Sequence, residues 1–288
     1  MPQTPPVTKN LIMINAIVYL ALIVGQNRGV DLNDMLGLHF LLAPNFNPVQ
    51  VFTYMFMHAN FWHLFCNMFT LWMFGRIVEG SLGSRRFLWF YLLCGIGAGL
   101  SQEVVQLVSY YAQGLNNFSM VRTGGYAMPM GQYLSLWTTV GASGACYGVL
   151  IAFGMLFPNE RVMLLIPPIP LKAKYMVIGF IIIDLLSALG GPGDGVAHFA
   201  HLGGALAGWL ILRRMLRRRA SGFTSWQEYS DRRKWTDRLR DIFRKKPAPP
   251  REEADEEEEI DRILEKIKRS GYDSLSQAEK DKLFNNRK

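Results

Sequence analysis

Residues 140–150, VGASGACYGVL, place Ser143 among small residues at the start of an apolar stretch. Gly144 and Gly148 lie one helical turn apart, and small residues at that spacing let the backbones of two membrane helices approach closely. The stretch therefore predicts a tightly packed helix. It leaves open whether Ser143 is a nucleophile or only another small packing residue.

Apolar residues make up 50% of the 288-residue chain and fall in blocks rather than at regular intervals. Six blocks are roughly 15 to 23 residues long, against about 20 for a full membrane crossing. They cover residues 11–25, 61–78, 87–109, 141–157, 174–189 and 195–212. We predict an all-α polytopic membrane protein, a bundle of six transmembrane helices with a short helical cytoplasmic tail.

Basic residues flank these blocks unevenly. One side would carry Arg76, Arg85, Arg86, Arg161, Lys172, Lys174 and the run RRMLRRR, and the other Arg28 and Arg122. Since Lys and Arg concentrate on the cytoplasmic side, both termini are predicted to be cytoplasmic. The first block lacks a signal-peptidase site, so we expect a retained helix in a bacterial inner membrane.

Polar side chains inside membrane helices are costly and often functional. His63 and Asn67 are four residues apart and share one helix face. His201 opens the last helix on the face of Gly204 and Gly208, and this pair matches the Gly144 and Gly148 pair. Close packing of the two glycine pairs would bring Ser143 beside His201.

That juxtaposition would supply a nucleophile and a base. His63, Asn67 and the backbone N–H of Ser143 would then be donors for an oxyanion. A helix that begins near Ser143 is too short to reach the outer surface, so its free N–H groups predict a wet cavity that opens outward.

These motifs resemble those of the rhomboid family of intramembrane serine proteases. The resemblance is carried by Gly141-Ala-Ser143-Gly144, by Ala200-His201-Leu-Gly-Gly204-Ala-Leu-Ala-Gly208, and by His58, His63 and Asn67 in the pattern H-x4-H-x3-N. It covers about residues 11–213. It implies a hydrolase that cleaves peptide bonds in or near transmembrane segments, with membrane proteins as substrates.

The resemblance also implies a role for each matched residue. Ser143 is the expected nucleophile and His201 the general base, and the oxyanion is expected to bind His63, Asn67 and the Ser143 N–H. Tyr147 matches a tyrosine that packs on the histidine, and Gly141, Gly144, Gly204 and Gly208 are supporting residues. The dyad needs no aspartate, so Asp184 receives no role, and neither do His58 and His198. Val49 and Gln50 stand where the family often has a Trp-Arg pair.

Two other functions fit some of these residues. A metal site or metal transporter could use His58, His63, His198 and His201, but no HExxH motif is present and no membrane carboxylate is expected near the histidines. A catalytically inactive relative that binds membrane clients is the other alternative, although the serine and histidine motifs are intact. We expect no cofactor and no nucleic-acid partner.

Composition divides the chain into five parts. Residues 1–10 form a cytoplasmic N-terminal tail and 11–213 the membrane domain. Residues 214–246 form a basic juxtamembrane segment with Trp235, Leu239, Ile242 and Phe243 on one helical face. A Pro-rich and acidic linker follows at 247–259. Residues 260–288 are predicted to form a short helical module that docks on a protein partner or on the membrane domain, with Gly271 as a stop and Ser274 with Gln277 as a capping box.

Overall fold

Helices dominate the first of the two units into which the chain divides, Met1–Ser221; the second is Gly222–Lys288. The computed structural model describes residues 4–163, 170–189, 198–221, 262–263, 266 and 275–279. The helices are α1 (Pro6–Gln26), α2 (Leu32–Leu36), α3 (Gln50–Thr53), α4 (Phe61–Thr70), α5 (Arg76–Leu82), α6 (Ser84–Ala112), α7 (Met130–Ser135), α8 (Ser143–Leu156), α9 (Ala173–Leu189) and α10 (His198–Ser221).

Each predicted apolar block overlaps a helix. The block at 61–78 is one continuous rod, because the π-helical turn Leu71–Gly75 joins α4 directly to α5. Among the described residues, α1 and α6 are long and apolar enough to cross a bilayer, and α8 is a shorter apolar helix of 14 residues. Helix α10 continues to Ser221, so the first residues of the segment predicted at 214–246 belong to this helix.

Small residues bring α6, α8 and α10 together. A Cβ placed on Gly208 would lie 2.8 Å from Gly148 Cα, and one on Gly204 would overlap the backbone of Gly144. On its other side Gly148 faces α6, where a Cβ would lie 2.5 Å from Cys94 Sγ. The Gly144 and Gly148 pair thus packs against the Gly204 and Gly208 pair, as their spacing predicts. The packing of α6 against α8 was not indicated by these glycines.

In the described part of the chain, three two-stranded antiparallel sheets lie in the connections between helices, and the all-α prediction did not include them. They pair β1 (Leu38–His39) with β4 (Thr138–Thr139), β2 (Met120–Thr123) with β3 (Tyr126–Pro129), and β5 (Arg161–Met163) with β6 (Pro170–Lys172). Strands of two to four residues are too short to show the alternation by which a sequence indicates a strand.

Buried polar side chains organise the connection between α1 and α4. His39 Nδ1 lies 3.0 Å from Ser135 O, and its Nε2 lies 2.7 Å from Asp34 O. Gln50 is 3% exposed. Its Oε1 accepts from the N–H groups of His39 and Asn47, and its Nε2 donates to the carbonyls of Met35 and Asn45. At one position of the missing Trp-Arg pair, Gln50 therefore ties four backbone groups of this connection together.

Glu79 joins the start of α1 to α5 and α6. Its carboxylate accepts from the N–H groups of Val7 and Thr8 and from the hydroxyls of Thr8 and Ser84, at 2.7 to 3.0 Å. These bonds satisfy first-turn donors of α1, which has no side-chain cap at Pro5. Glu79 is 1% exposed, and we assign it a structural role.

The second unit contains a capped helix start at Ser276. Ser276 N–H donates to Glu279 Oε2 at 2.7 Å, and Glu279 N–H donates back to Ser276 Oγ at 3.4 Å, which is a capping box. The capping box predicted at Ser274 and Gln277 stays a prediction, because Ser274 lies outside the described residues. The linker at 247–259, Gly271 and the apolar face from Trp235 to Phe243 also lie outside them.

Candidate active site

Ser143 begins α8 and follows a turn that only glycine adopts easily. Gly141 has φ +125°, and its N–H donates to Tyr54 O at 3.0 Å, which fixes the entry of the chain into the helix. Helix α8 has no side-chain cap at Ala142, so the N–H of Ser143 belongs to its uncapped first turn. The serine hydroxyl and first-turn N–H donors therefore meet at one helix end.

His201 lies directly opposite this end. Its Nε2 is 2.8 Å from Ser143 Oγ, within hydrogen-bonding distance. The contact joins α10 to α8 one turn from the place where Gly204 packs on the backbone of Gly144. The glycine packing thus sets the distance between serine and histidine.

Tyr147 lies one turn after Ser143 and stacks on His201. The two ring centroids are 4.5 Å apart and the ring planes differ by 8°. A parallel aromatic contact restricts the imidazole to the orientation in which Nε2 faces the serine. The structure brings these three sequence-predicted residues together.

His63 reaches the same place from α4. A Cβ on Gly141 would lie 2.6 Å from His63 Cε1 and Nε2, so the imidazole covers the glycine next to the serine turn. Asn60 caps α4 by accepting the His63 N–H at 2.8 Å, which fixes where the helix begins. His63 is thereby placed beside the turn that leads to Ser143.

Asn67 is less directly engaged. It is 5% exposed, and its Nδ2 donates to His63 O at 3.0 Å within its own helix. The side-chain amide carries two N–H groups, so this bond leaves Asn67 with a second donor.

His58 is fully buried beside His63, with ring centroids 5.2 Å apart in an edge-to-face arrangement. Its carbonyl accepts from Asn33 Nδ2 at 3.3 Å, which holds the α2 region. Burial, and secondly the neighbouring His63, lowers the pKa of His58 to about 4, so the ring is neutral at physiological pH. The structure places His58 behind His63.

Asp184, which received no role in the sequence-based prediction, lies on the far side of His201. Its Oδ1 is 3.2 Å from His201 Nδ1 and 2.6 Å from His198 Nδ1, and the residue is 4% exposed. The expectation that no carboxylate would lie near the histidines is therefore wrong. A lone acidic residue in an apolar helix was the available signal, because such a residue requires a partner.

Asp184, His198 and His201 are also a candidate metal set, since their ligand atoms all lie within 4.8 Å of one another. Two ligands about 2.05 Å from a tetrahedral zinc ion are about 3.3 Å apart. The 2.6 Å separation of Asp184 Oδ1 and His198 Nδ1 is instead that of a charged hydrogen bond. The histidine pair His58 and His63 does not join this cluster in the part of the chain that the structure describes.

Fold and site together define a class, that of helical polytopic membrane proteins with a serine–histidine pair between packed helices. A family model described as the Rhomboid domain matches residues 45–218, and the chain belongs to the rhomboid family. A second model, a family of unknown function (DUF6576), matches residues 251–286. Membership makes the chain an integral membrane protein.

Curated relatives are 30% identical to the chain over the segments that align. It is 30% identical over 173 residues to Rhomboid protein 1, mitochondrial, of Saccharomyces cerevisiae, which covers 57% of this chain and 42% of that protein. It is 30% identical over 164 residues to Rhomboid protease AarA of Providencia stuartii, 54% of this chain and 52% of that protein. It is also 30% identical over 222 residues to Rhomboid-like protein 11, chloroplastic, of Arabidopsis thaliana, which covers 70% of this chain and 64% of that protein. The chain thus matches less than two thirds of the length of each relative.

Proposed function

We propose that the chain is an intramembrane serine endopeptidase that hydrolyses peptide bonds in or near transmembrane segments of membrane proteins. The observation that carries the proposal is the 2.8 Å contact between Ser143 Oγ and His201 Nε2. The name of one relative, a rhomboid protease, is consistent with the proposal.

The chemistry follows from the hydrogen bonds. His201 Nε2 accepts the hydroxyl proton of Ser143 while Oγ bonds to the substrate carbonyl carbon. The resulting oxyanion is stabilised by the Ser143 N–H and by His63, with Asn67 as a further donor. The C–N bond then breaks, His201 gives its proton to the leaving amine, and water hydrolyses the ester by the same route.

Tyr147 and the glycines act on geometry in this scheme. Tyr147 holds the imidazole, Gly141 makes room for His63, and Gly144 with Gly204 and Gly208 sets the spacing of α8 and α10. No cofactor enters any step.

Substrates are proposed to be transmembrane helices that contain a locally unstable helical segment. A regular helix hides its carbonyls in internal hydrogen bonds, so attack requires a segment that opens easily. Pro removes one such bond and Gly lowers helix stability. We expect faster cleavage of substrates that contain these or polar residues near the scissile bond.

The proposed arrangement has six membrane crossings, namely α1, the rod α4–α5, α6, α8, α9 and α10. Both termini are proposed to be cytoplasmic on the distribution of Lys and Arg, and the membrane is proposed to be a bacterial inner membrane. The tail, with its own family match at residues 251–286, is proposed to bind a protein partner.

The decisive experiment reconstitutes the purified protein in liposomes with a reporter helix that contains a helix-breaking segment near one end. Wild type and Ser143→Ala are compared, each with and without a chelator. Cleavage that disappears with Ser143→Ala and ignores the chelator is the expected result.

Two other results would change the assignment. Absence of cleavage by wild type over several reporters would favour a client-binding protein without activity. Activity that the chelator abolishes would favour a metal at Asp184, His198 and His201.

A further inference from the structure

We propose that Asp184 is a positioning residue for His201, which makes the serine–histidine pair part of a chain of three hydrogen-bonded residues. The inference rests on the proposed function and deepens it. Its starting point is that His201 is hydrogen-bonded at both ring nitrogens, to Ser143 Oγ at 2.8 Å and to Asp184 Oδ1 at 3.2 Å.

The two contacts fix the tautomer of the imidazole. An ionised carboxylate has no proton to donate, so His201 Nδ1 must carry the hydrogen and donate to Asp184. A neutral imidazole then has an unprotonated Nε2, which is the nitrogen that faces Ser143. Asp184 therefore selects the tautomer that can accept the serine proton.

The same carboxylate also stabilises the charge that forms during the reaction. When His201 takes the proton from Ser143 it becomes an imidazolium, with Asp184 Oδ1 already in contact with its Nδ1–H. Asp184 is 4% exposed, and charges attract more strongly where water is excluded. No proton needs to move to Asp184 for this effect.

His198 fixes the carboxylate itself. Its Nδ1 lies 2.6 Å from the same Oδ1 of Asp184, and the rings of His198 and His201 are edge-to-face with centroids 6.1 Å apart. Since the two histidines are three residues apart at the start of α10, both project toward α9. His198 thereby holds Asp184 Oδ1 in place for His201.

The geometry differs from that of a purely structural acid. Glu103 is such a structural acid. Its Oε2 accepts the Leu41 N–H at 2.7 Å, which holds the connection between α2 and α3 on α6. Glu103 is 6% exposed, which makes it a matched buried carboxylate elsewhere in the bundle.

The test compares Asp184→Asn, Asp184→Glu and the control Glu103→Gln in liposomes. Three quantities are measured for each: kcat and KM for the reporter, the rate of Ser143 labelling by a fluorophosphonate, and the melting temperature. Asn has the shape of Asp but can present an N–H to His201, which favours the wrong tautomer.

We expect Asp184→Asn to lower kcat and the labelling rate by about a hundredfold or more, with KM changed by less than about threefold. Asp184→Glu should recover at least about a tenth of the wild-type rates because the carboxylate is kept. Glu103→Gln should stay within about twofold of wild type in both rates.

Wild-type rates in Asp184→Asn would overturn the inference while leaving the proposed function intact. So would an Asp184→Asn protein that loses its folded melting transition, because the carboxylate would then serve the fold. Wild-type cleavage that requires added zinc would also overturn it, by making the cluster a metal site. A wild type that neither cleaves nor labels would instead refute the proposed function.

Discussion

At the scale of single residues, Gly141 shows how much of the site depends on one missing side chain. Its φ of +125° is strained for any other residue, and the imidazole of His63 occupies the space of a Cβ. The residue therefore serves both the turn into α8 and the placement of His63.

We predict that Gly141→Ala lowers the cleavage rate by more than tenfold for two reasons. The positive φ strains the backbone by about 1–3 kcal/mol, and the added methyl group displaces His63. The control is Gly29→Ala, which has a similar strain at φ +77° but no atom within 4 Å of the added Cβ. Gly29→Ala should cleave at the wild-type rate. Equal rates for the two variants would show that the contact with His63 is unimportant.

Tyr147 offers a second prediction at this scale. Tyr147→Phe keeps the ring that stacks on His201 and should retain kcat within about threefold. Tyr147→Ala removes a contact of about 0.5–1.5 kcal/mol and leaves a cavity, so kcat should fall about tenfold or more. The kcat of both variants is measured by reporter cleavage. An equal loss of kcat in Tyr147→Phe and Tyr147→Ala would assign the effect to the hydroxyl group instead of the ring.

At the scale of helices, the packing of α8 on α10 decides whether serine and histidine meet. Gly204→Ala would place a methyl group in the backbone of Gly144, so the two helices must separate. We predict a loss of cleavage of at least about tenfold and a destabilisation of about 1–3 kcal/mol. Cleavage and thermal unfolding in detergent are the measurements.

The matched control for this change is Gly179→Ala in α9, where an added Cβ meets nothing within 4 Å. Alanine is favoured over glycine in a helix interior by about 0.5–1 kcal/mol, so this variant should be neutral or slightly more stable. A Gly204→Ala protein that behaves like Gly179→Ala would contradict the packing argument.

Glu79 is the corresponding residue for α1. Glu79→Ala leaves four donors at the start of α1 and α6 without their acceptor, and we predict a destabilisation of about 3 kcal/mol. Glu160→Ala, at an exposed acid, should change stability by less than about 0.5 kcal/mol. Unfolding of both variants in the same detergent tests the difference.

The helices and the Ser143–His201 contact could be predicted because apolar blocks and glycine spacing are local properties of the sequence. Asp184 could not be assigned, since its partners lie 14 and 17 residues away and depend on how α9 meets α10. Gln50 and His39 were missed for a similar reason. Their partners are mostly backbone groups of a connection whose course no periodicity indicates.

At the scale of the whole molecule, every residue of the candidate site lies in Met1–Ser221. We therefore predict that deletion of residues 247–288 leaves reporter cleavage in liposomes within about twofold of wild type. Protein level or binding partners in cells should change, as measured by immunoblot and crosslinking. A truncated protein that no longer cleaves would give the tail a direct part in activity.

The contact between Ser143 and His201 has a practical consequence for the study of membrane protein assembly. Its two atoms belong to helices separated by more than forty residues of chain, and they come within 2.8 Å only when α8 and α10 are correctly packed. A reagent that reacts only with an activated serine would therefore count assembled molecules in a native lipid bilayer. The reactivity of Ser143 would then report the folded fraction directly, with no attached fluorophore, tag or denaturant.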